Sequence, residues 1–225
     1  MTHIKIAPSI LTADFARLAD EVRAVEEAGA DRLHLDVMDG HFVPPITFGA
    51  LAVAAIRKIT RLPLDVHLMI EHPERHVEDF AKAGASILNV HVEACDDLPA
   101  ILKQLRSLGC RTGVCVNPPT LLSEIDHVLD QVDQVVVMAV NPGWGGQAFI
   151  PETLAKVRDL RALLASRGLE PEVEIDGGVK VHNCVECVQA GANVLVVGSA
   201  VYNNEASVGE NMRALRATLA ELAAS

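Results

Sequence analysis

The chain has 225 residues, of which 50% are hydrophobic and 22% charged, so a large core can be buried and disorder is excluded as the main state. Lys plus Arg number 19 against 30 Asp plus Glu, a formal charge of −11, and only 3% of residues are aromatic. An acidic chain poor in stacking rings argues against nucleic acid and against anionic membrane surfaces as partners.

No apolar run reaches a bilayer span, and MTHIKIAPSILTADF lacks the basic start and cleavage site of a signal peptide, so a cytoplasmic location is expected. The five cysteines do not form an even disulfide framework. Cys184 and Cys187 make a lone C-x-x-C. The simplest reading is two small core residues on one helix face.

In chain order, the apolar runs predict strands at about Ile4–Ser9, Arg32–Met38, Leu64–Met69, Ile87–Glu93, Thr112–Asn117, Gln134–Val140, Glu172–Asp176 and Asn193–Gly198. Stretches of helical period lie between them, such as Phe15–Ala28 (apolar at Phe15, Leu18, Ala19, Val22 and Val25) and Pro151–Arg167. Pro73, Pro99 and Pro151 sit where a first helical turn tolerates proline. Gly29, Gly84, Gly109 and Gly191 each stand between a helical stretch and a strand, where a helix ends in the left-handed conformation. Strand–helix alternation implies parallel pairing with right-handed crossovers. Eight units of about 28 residues, with no linker, fit a single (β/α)8 TIM barrel over 1–225. An open doubly wound sheet is the alternative.

In such a barrel the chemistry sits at the C-terminal strand ends. The second strand ends LHLDVM, so His34, Asp36 and Met38 share one side while Leu35 and Val37 face the helices. The third ends DVHLM, with His67 and Met69 in the same relation. The fourth contributes Asn89, His91 and Glu93, the seventh ends at Asp176, and the first ends at Ser9. Two imidazoles and two carboxylates converging at one mouth (His34, Asp36, His67 and Asp176) would hold a divalent metal, since uncompensated carboxylates there repel. The donor set suits Zn2+, Mn2+, Fe2+ or Co2+. We expect one ion per subunit, and spacing does not choose among these four. His91 is either a further ligand or a support behind one. Asp65 points the same way as His67 but deeper and reads as a buried, paired support. His41, His72, His76, His127 and His182 fall on loops or helices and read as solvated. Met38, Met69 and Met138 either fill the barrel or form an apolar collar that excludes water.

A second constellation is rich in glycine. The sixth strand runs into Asn141-Pro-Gly-Trp-Gly-Gly-Gln147, the seventh into Gly177-Gly178, and the eighth into Gly198-Ser199. Barrels often bind phosphate there, through backbone amides and a following helix N-terminus. No Lys or Arg occurs in 134–150, 172–179 or 193–204. A metal beside a phosphate cradle suggests a phosphorylated sugar. The natural reaction is proton removal next to a carbonyl, one Asp taking the proton from one face and the other returning it to the opposite face.

LDVMDGHFVP (35–44), DVHLM (65–69), VNPGWGGQ (140–147) and EIDGG (174–178) closely resemble the ribulose-phosphate 3-epimerase family, in order from APSIL through Gly198-Ser199. The resemblance implies interconversion of D-ribulose 5-phosphate and D-xylulose 5-phosphate, in the pentose phosphate pathway or carbon fixation. It implies His34, Asp36, His67 and Asp176 as metal ligands, Asp36 as proton acceptor and Asp176 as proton donor. Ser9 and His67 resemble substrate contacts. Gly143, Trp144, Gly145, Gly146, Asp176, Gly177, Gly178, Gly198 and Ser199 match the substrate and phosphate segments, and 141–147 resembles a loop that closes over the sugar. A homo-oligomer, dimer or hexamer, is implied too. Pro45, Ala50, Ala139 and Trp144 depart from the residues frequent in the family, and none is a proposed ligand. Three rivals are a D-allulose-6-phosphate 3-epimerase, a metal-dependent lyase on a related phosphate-binding barrel, and a silent sugar-phosphate binder.

Overall fold

The computed structural model describes residues 3–224; Met1, Thr2 and Ser225 of the expected 1–225 domain lie outside them. The strands are β1 (Lys5–Pro8), β2 (Leu33–Met38), β3 (Leu64–Met69), β4 (Ile87–His91), β5 (Arg111–Val116), β6 (Gln134–Met138), β7 (Glu172–Asp176) and β8 (Val194–Val197). All pair in parallel in one sheet of order β1-β8-β7-β6-β5-β4-β3-β2. A Ser9–His34 bridge and a bond from the Asp31 N–H to the Ile6 carbonyl (3.0 Å) join β1 to β2. The expected barrel is therefore present.

The helices are α1 (Leu18–Glu27), α2 (Ala50–Arg57), α3 (Val77–Lys82), α4 (Leu98–Ser107), α5 (Thr153–Arg167), α6 (Cys184–Ala190) and α7 (Val208–Ala224). They pack on the outward side chains of the strands. Leu33, Leu35, Leu68, Val114 and Ile175 are fully buried in that layer with Val22 and Val25 of α1, Ile101 of α4 and Leu160 of α5. Each such aliphatic side chain contributes about 1.5–3 kcal/mol by leaving water. Cys184 and Cys187 are both buried on α6, one turn apart, as the core reading expects.

Several expectations need correction. The fourth strand stops at His91, and Glu93 lies in the following 3-10 turn, Val92–Ala94. The unit between β5 and β6 carries no α-helix among the described residues, only 3-10 segments at Leu122–Glu124 and Asp126–Gln131. The Phe15–Ala28 helix begins at Leu18 after a separate 3-10 turn capped by Asp14. Phe15 is therefore off the buried stripe, 50% exposed, with its ring 5.9 Å from that of Phe48. Pro151 precedes α5 rather than opening it.

The barrel interior is layered. Its lower layer is polar and charged. Arg32 donates to Asp65 (3.1 Å), Gln134 (2.5 Å) and Glu172 (2.6 Å). Asn89 donates to Asp65 at 2.6 Å, so it belongs to this layer and not to the mouth. The buried, paired reading of Asp65 fits this geometry.

Candidate active site

Register places the key side chains side by side. Asp36 pairs with His67 across β2 and β3, and Met38 pairs with Met69. Met138 pairs with Asp176 across β6 and β7. Alternation along each strand turns these residues inward while Leu35, Val37, Val66 and Leu68 face the helices.

His34 Nε2, Asp36 Oδ1, His67 Nδ1 and Asp176 Oδ2 converge above the charged layer. His34 Nε2 lies 3.3 Å from Asp36 Oδ1, 3.4 Å from His67 Nδ1 and 3.7 Å from Asp176 Oδ2. His67 Nδ1 lies 3.1 Å from Asp36 Oδ1 and 3.4 Å from Asp176 Oδ2. Ligands about 2.0–2.1 Å from a tetrahedral ion stand roughly 3.3 Å apart, so these separations fit the edges of one coordination tetrahedron. The group can hold a divalent cation.

Electrostatics point the same way. Burial pushes Asp36 up, yet His34 and His67 outweigh it and hold the carboxyl far below its usual range. The same burial opposes protonation of His34, but Asp36 and Glu174 raise its pKa well above the ordinary value. His67 is raised likewise, against burial, by Cys115 first and then by Asp176 and Asp36. The carboxylates therefore demand positive charge at this point, which either protons on the imidazoles or a metal ion can supply.

Glu174 is the residue that the strand-end reading missed. It sits two before Asp176 on β7, fully buried, with Oε1 3.3 Å from His34 Nδ1. The two atoms do not meet hydrogen-bond geometry, and neither has another hydrogen-bond partner. Burial and neighbouring Asp65 push the Glu174 carboxyl up to about 8, against the pull of His34. Once ionised, a carboxyl group placed behind an imidazole in this way orients a metal-bound histidine. The two-residue period was the available signal.

His91 joins the cluster from the side. Its Nε2 is 2.8 Å from His67 Nε2, and its Nδ1 is 3.0 Å from Glu93 Oε2. With ring centroids 4.9 Å apart and planes 23° apart, the two nitrogens face one another along the line between the rings, which leaves room between them for a hydrogen and not for an ion. That places His91 behind His67 rather than among the ligands. Burial pushes His91 down to about 4. His41, His72, His76, His127 and His182 are exposed.

A cleft of about 550 Å3, open to solvent, rises from these groups. Ser9, Asp36, Asp176, Met38, Met69 and Met138 line its floor, with Gly143–Gly146, Gly177, Gly178, Gly198 and Ser199 toward its rim. No Lys or Arg lines it. Gly178 has φ +66°, and a Cβ there would lie 2.6 Å from the Phe149 backbone nitrogen, so both conformation and space require glycine. The helix-dipole expectation is corrected. α6 begins at Cys184 and α7 at Val208, so the segments after β7 and β8 offer turn amides instead. After β8 a single turn closes with Tyr202 N–H on the Gly198 carbonyl at 3.0 Å. Trp144 is 60% exposed at the rim, in a loop tied by Gln147 to the Asn141 and Trp144 carbonyls (2.6 and 3.0 Å).

The fold and mouth thus define a (β/α)8 barrel with a buried His/Asp cluster, able to hold a cation, under a glycine-lined cleft. Among solved structures the chain is similar to KGPDC from Streptococcus mutans (TM-score 0.72, 13% identity, 98% of this chain and 99% of that one). It is also similar to thiamine phosphate pyrophosphorylase from Pyrococcus furiosus (TM-score 0.66, 17% identity, 97% and 96%). These show the fold alone.

The model of the family described as "Ribulose-phosphate 3 epimerase family" matches residues 5–202. A ribulose-phosphate 3-epimerase of Synechocystis is 55% identical over 203 residues, covering 89% of this chain and 88% of that protein. One of Bacillus subtilis is 52% identical (88% and 92%), and the chloroplastic ribulose-5-phosphate-3-epimerase of Arabidopsis thaliana is 53% identical (89% and 72%). The chain belongs to the ribulose-phosphate 3-epimerase family.

Proposed function

We infer that the chain interconverts D-ribulose 5-phosphate and D-xylulose 5-phosphate, epimers at C3, with Asp36 and Asp176 as its two proton-transfer groups. The observation that carries this is the placement of the two carboxylates. β2 and β7 lie three strands apart around an eight-strand ring, roughly 135°, yet one oxygen of each enters the same four-atom cluster at the cleft floor. A sugar seated there has one carboxylate on each flank.

Asp36 is suited to take the C3 proton. Its Oδ2 accepts from the Ser9 hydroxyl at 2.5 Å, which fixes the carboxylate plane. Asp176 is suited to deliver a proton to the opposite face of C3, and the roles exchange in the reverse direction. A divalent ion held by His34, Asp36, His67 and Asp176, Zn2+ before Fe2+, Mn2+ or Co2+, would offset the negative charge that develops on the sugar oxygens when C3 loses its proton. Met38, Met69 and Met138 keep water away from that charge. The amides of Gly143–Gly146, Gly177–Gly178 and Gly198–Ser199 are the candidate phosphate holders, since the cleft offers no cationic side chain.

Among the described residues no helix is long and apolar enough to cross a membrane. We propose a cytoplasmic enzyme assembled from identical chains, although the Arabidopsis relative is chloroplastic by name. Sedimentation analysis checks the assembly. The test of function is conversion of D-ribulose 5-phosphate followed by NMR in deuterated water. Inversion with deuterium entering C3 is expected, whereas binding with neither would leave only a sugar-phosphate binder. Equal turnover of D-allulose 6-phosphate would make the substrate range broader than this reading.

A further inference from the structure

We propose that Glu93, acting through His91, is a positioning residue that fixes the tautomer of His67 and thereby keeps His67 Nδ1 free to bind the cation. The inference rests on His67 being a ligand of that cation, and it concerns a segment of the barrel that the two-carboxylate chemistry does not touch.

The His67 and His91 rings have centroids 4.9 Å apart and planes 23° apart. With Nε2 atoms separated by 2.8 Å, the rings meet edge to edge, nearly coplanar, which is the geometry of one N–H···N bond. Only one of the two nitrogens carries that hydrogen. Nothing in the pair itself chooses which.

Glu93 makes the choice. Its Oε2 faces His91 Nδ1 at 3.0 Å. Its Oε1 accepts from the Asn117 N–H at 2.8 Å and from the Thr120 hydroxyl. Both oxygens are thus turned to donors, as an ionised carboxylate requires. His91 Nδ1 must then carry a hydrogen, or a lone pair would face a negative oxygen. A neutral His91 is left with a bare Nε2, which accepts from His67 Nε2–H. A neutral His67 so protonated has its lone pair on Nδ1, the atom 3.1 Å from Asp36 Oδ1 and 3.4 Å from Asp176 Oδ2. Reversing the direction would put the hydrogen on His67 Nδ1 and block the ligand atom.

The other parts of the line hold it rigid. His91 is fully buried, and the Phe42 ring lies 4.8 Å from it. Cys115, the third member of a His67–His91–Cys115 group, adds no competing ligand set, because the His67 and His91 Nε2 atoms already share a hydrogen.

The test measures Zn2+ affinity by competition with a chromophoric chelator, in the full chain, for wild type, Glu93→Gln, His91→Leu and His91→Gln. Glu93→Gln keeps size but lets an amide N–H face His91. Glu93→Gln and His91→Leu are expected to weaken Zn2+ binding by roughly 10–100-fold. His91→Gln, whose carbonyl can accept from His67 Nε2–H, is expected to recover most of that loss. Nitrogen-15 shifts of the Zn2+-loaded wild type should show His91 protonated at Nδ1 and bare at Nε2. Glu93→Gln and His91→Leu proteins that bind Zn2+ as tightly as wild type, or a His91 protonated at Nε2, would overturn the proposal. Wild type that binds no Zn2+, or His67→Ala that binds it equally well, would instead overturn the cation reading beneath it. Should Glu93→Gln fail to fold, the two His91 variants and the wild-type shifts decide alone.

Discussion

The Ser9 hydroxyl donates to Asp36 Oδ2 at 2.5 Å, leaving Oδ1 of the same carboxylate against His34 Nε2 and His67 Nδ1. One oxygen is thus held by the end of β1 while the other enters the cation cluster. Asp36→Asn removes the proposed base while keeping the shape, and it is expected to lower kcat by at least about 10^3-fold with the fold retained. Ser9→Ala frees the carboxylate to rotate and is expected to cost less, about 10-fold. Steady-state kinetics with circular dichroism as a fold check measure both. Turnover by Asp36→Asn near the wild-type rate would remove Asp36 from the proton transfer.

Asp176 is the proposed second proton-transfer group. Asp176→Asn should block inversion of D-ribulose 5-phosphate while leaving slow exchange of the C3 hydrogen through Asp36. Proton NMR in deuterated water separates the two, since exchange and inversion are read from different signals. Full epimerase activity in this variant would refute two-base chemistry.

Arg32 is buried with its guanidinium on Asp65, Glu172 and Gln134, and 3.7 Å from Glu174. Arg32→Leu leaves Asp65 and Glu174 as carboxyl groups without their cation in the barrel floor. Breaking one partner of such a buried network costs about 3–5 kcal/mol. Urea denaturation of the two proteins measures it, and a loss under about 1 kcal/mol would show that the network relaxes around the gap.

Glu93 supplies a pH dependence. Burial alone would raise its pKa, but the hydrogen bond from His91 and the donors at Asn117 and Thr120 outweigh it and bring the carboxyl down to about 2, from 4.5. A depressed carboxyl stabilises the fold fully above its unfolded value and loses that contribution as pH falls toward the folded one. The stability gap between wild type and Glu93→Gln should therefore be largest above about pH 5 and narrow steadily below about pH 4.5. Urea midpoints across that range check it; a gap independent of pH would mean that the charge of Glu93 carries no stability.

Much of this site was legible before any fold was known, because two local rules suffice. Alternation along a strand puts His34 with Asp36 and His67 with Met69, and a parallel barrel gathers C-terminal strand ends at one mouth. The same alternation would have given Glu174. A residue two positions deeper, however, reads equally well as barrel filling. Asn89 lies in the charged floor for a related reason: strand tilt and stagger, which no single strand records, decide whether a given inward residue belongs to the mouth or to the floor. The missing helix between β5 and β6 and the late start of α7 were likewise invisible, since short helical stretches settle into α or 3-10 form by what they pack against.

The amino-acid sequence by itself determined the barrel, the family and the meeting of His34, Asp36, His67 and Asp176 at one mouth, because periodicity and motif spacing are local properties of the chain. Only the tertiary structure decided that Glu174 stands behind His34, that Glu93 reaches His67 through His91, and that the cleft offers turn amides rather than helix ends. Those relations depend on distances between strands and loops far apart in the chain, fixed by how the sheet closes on itself.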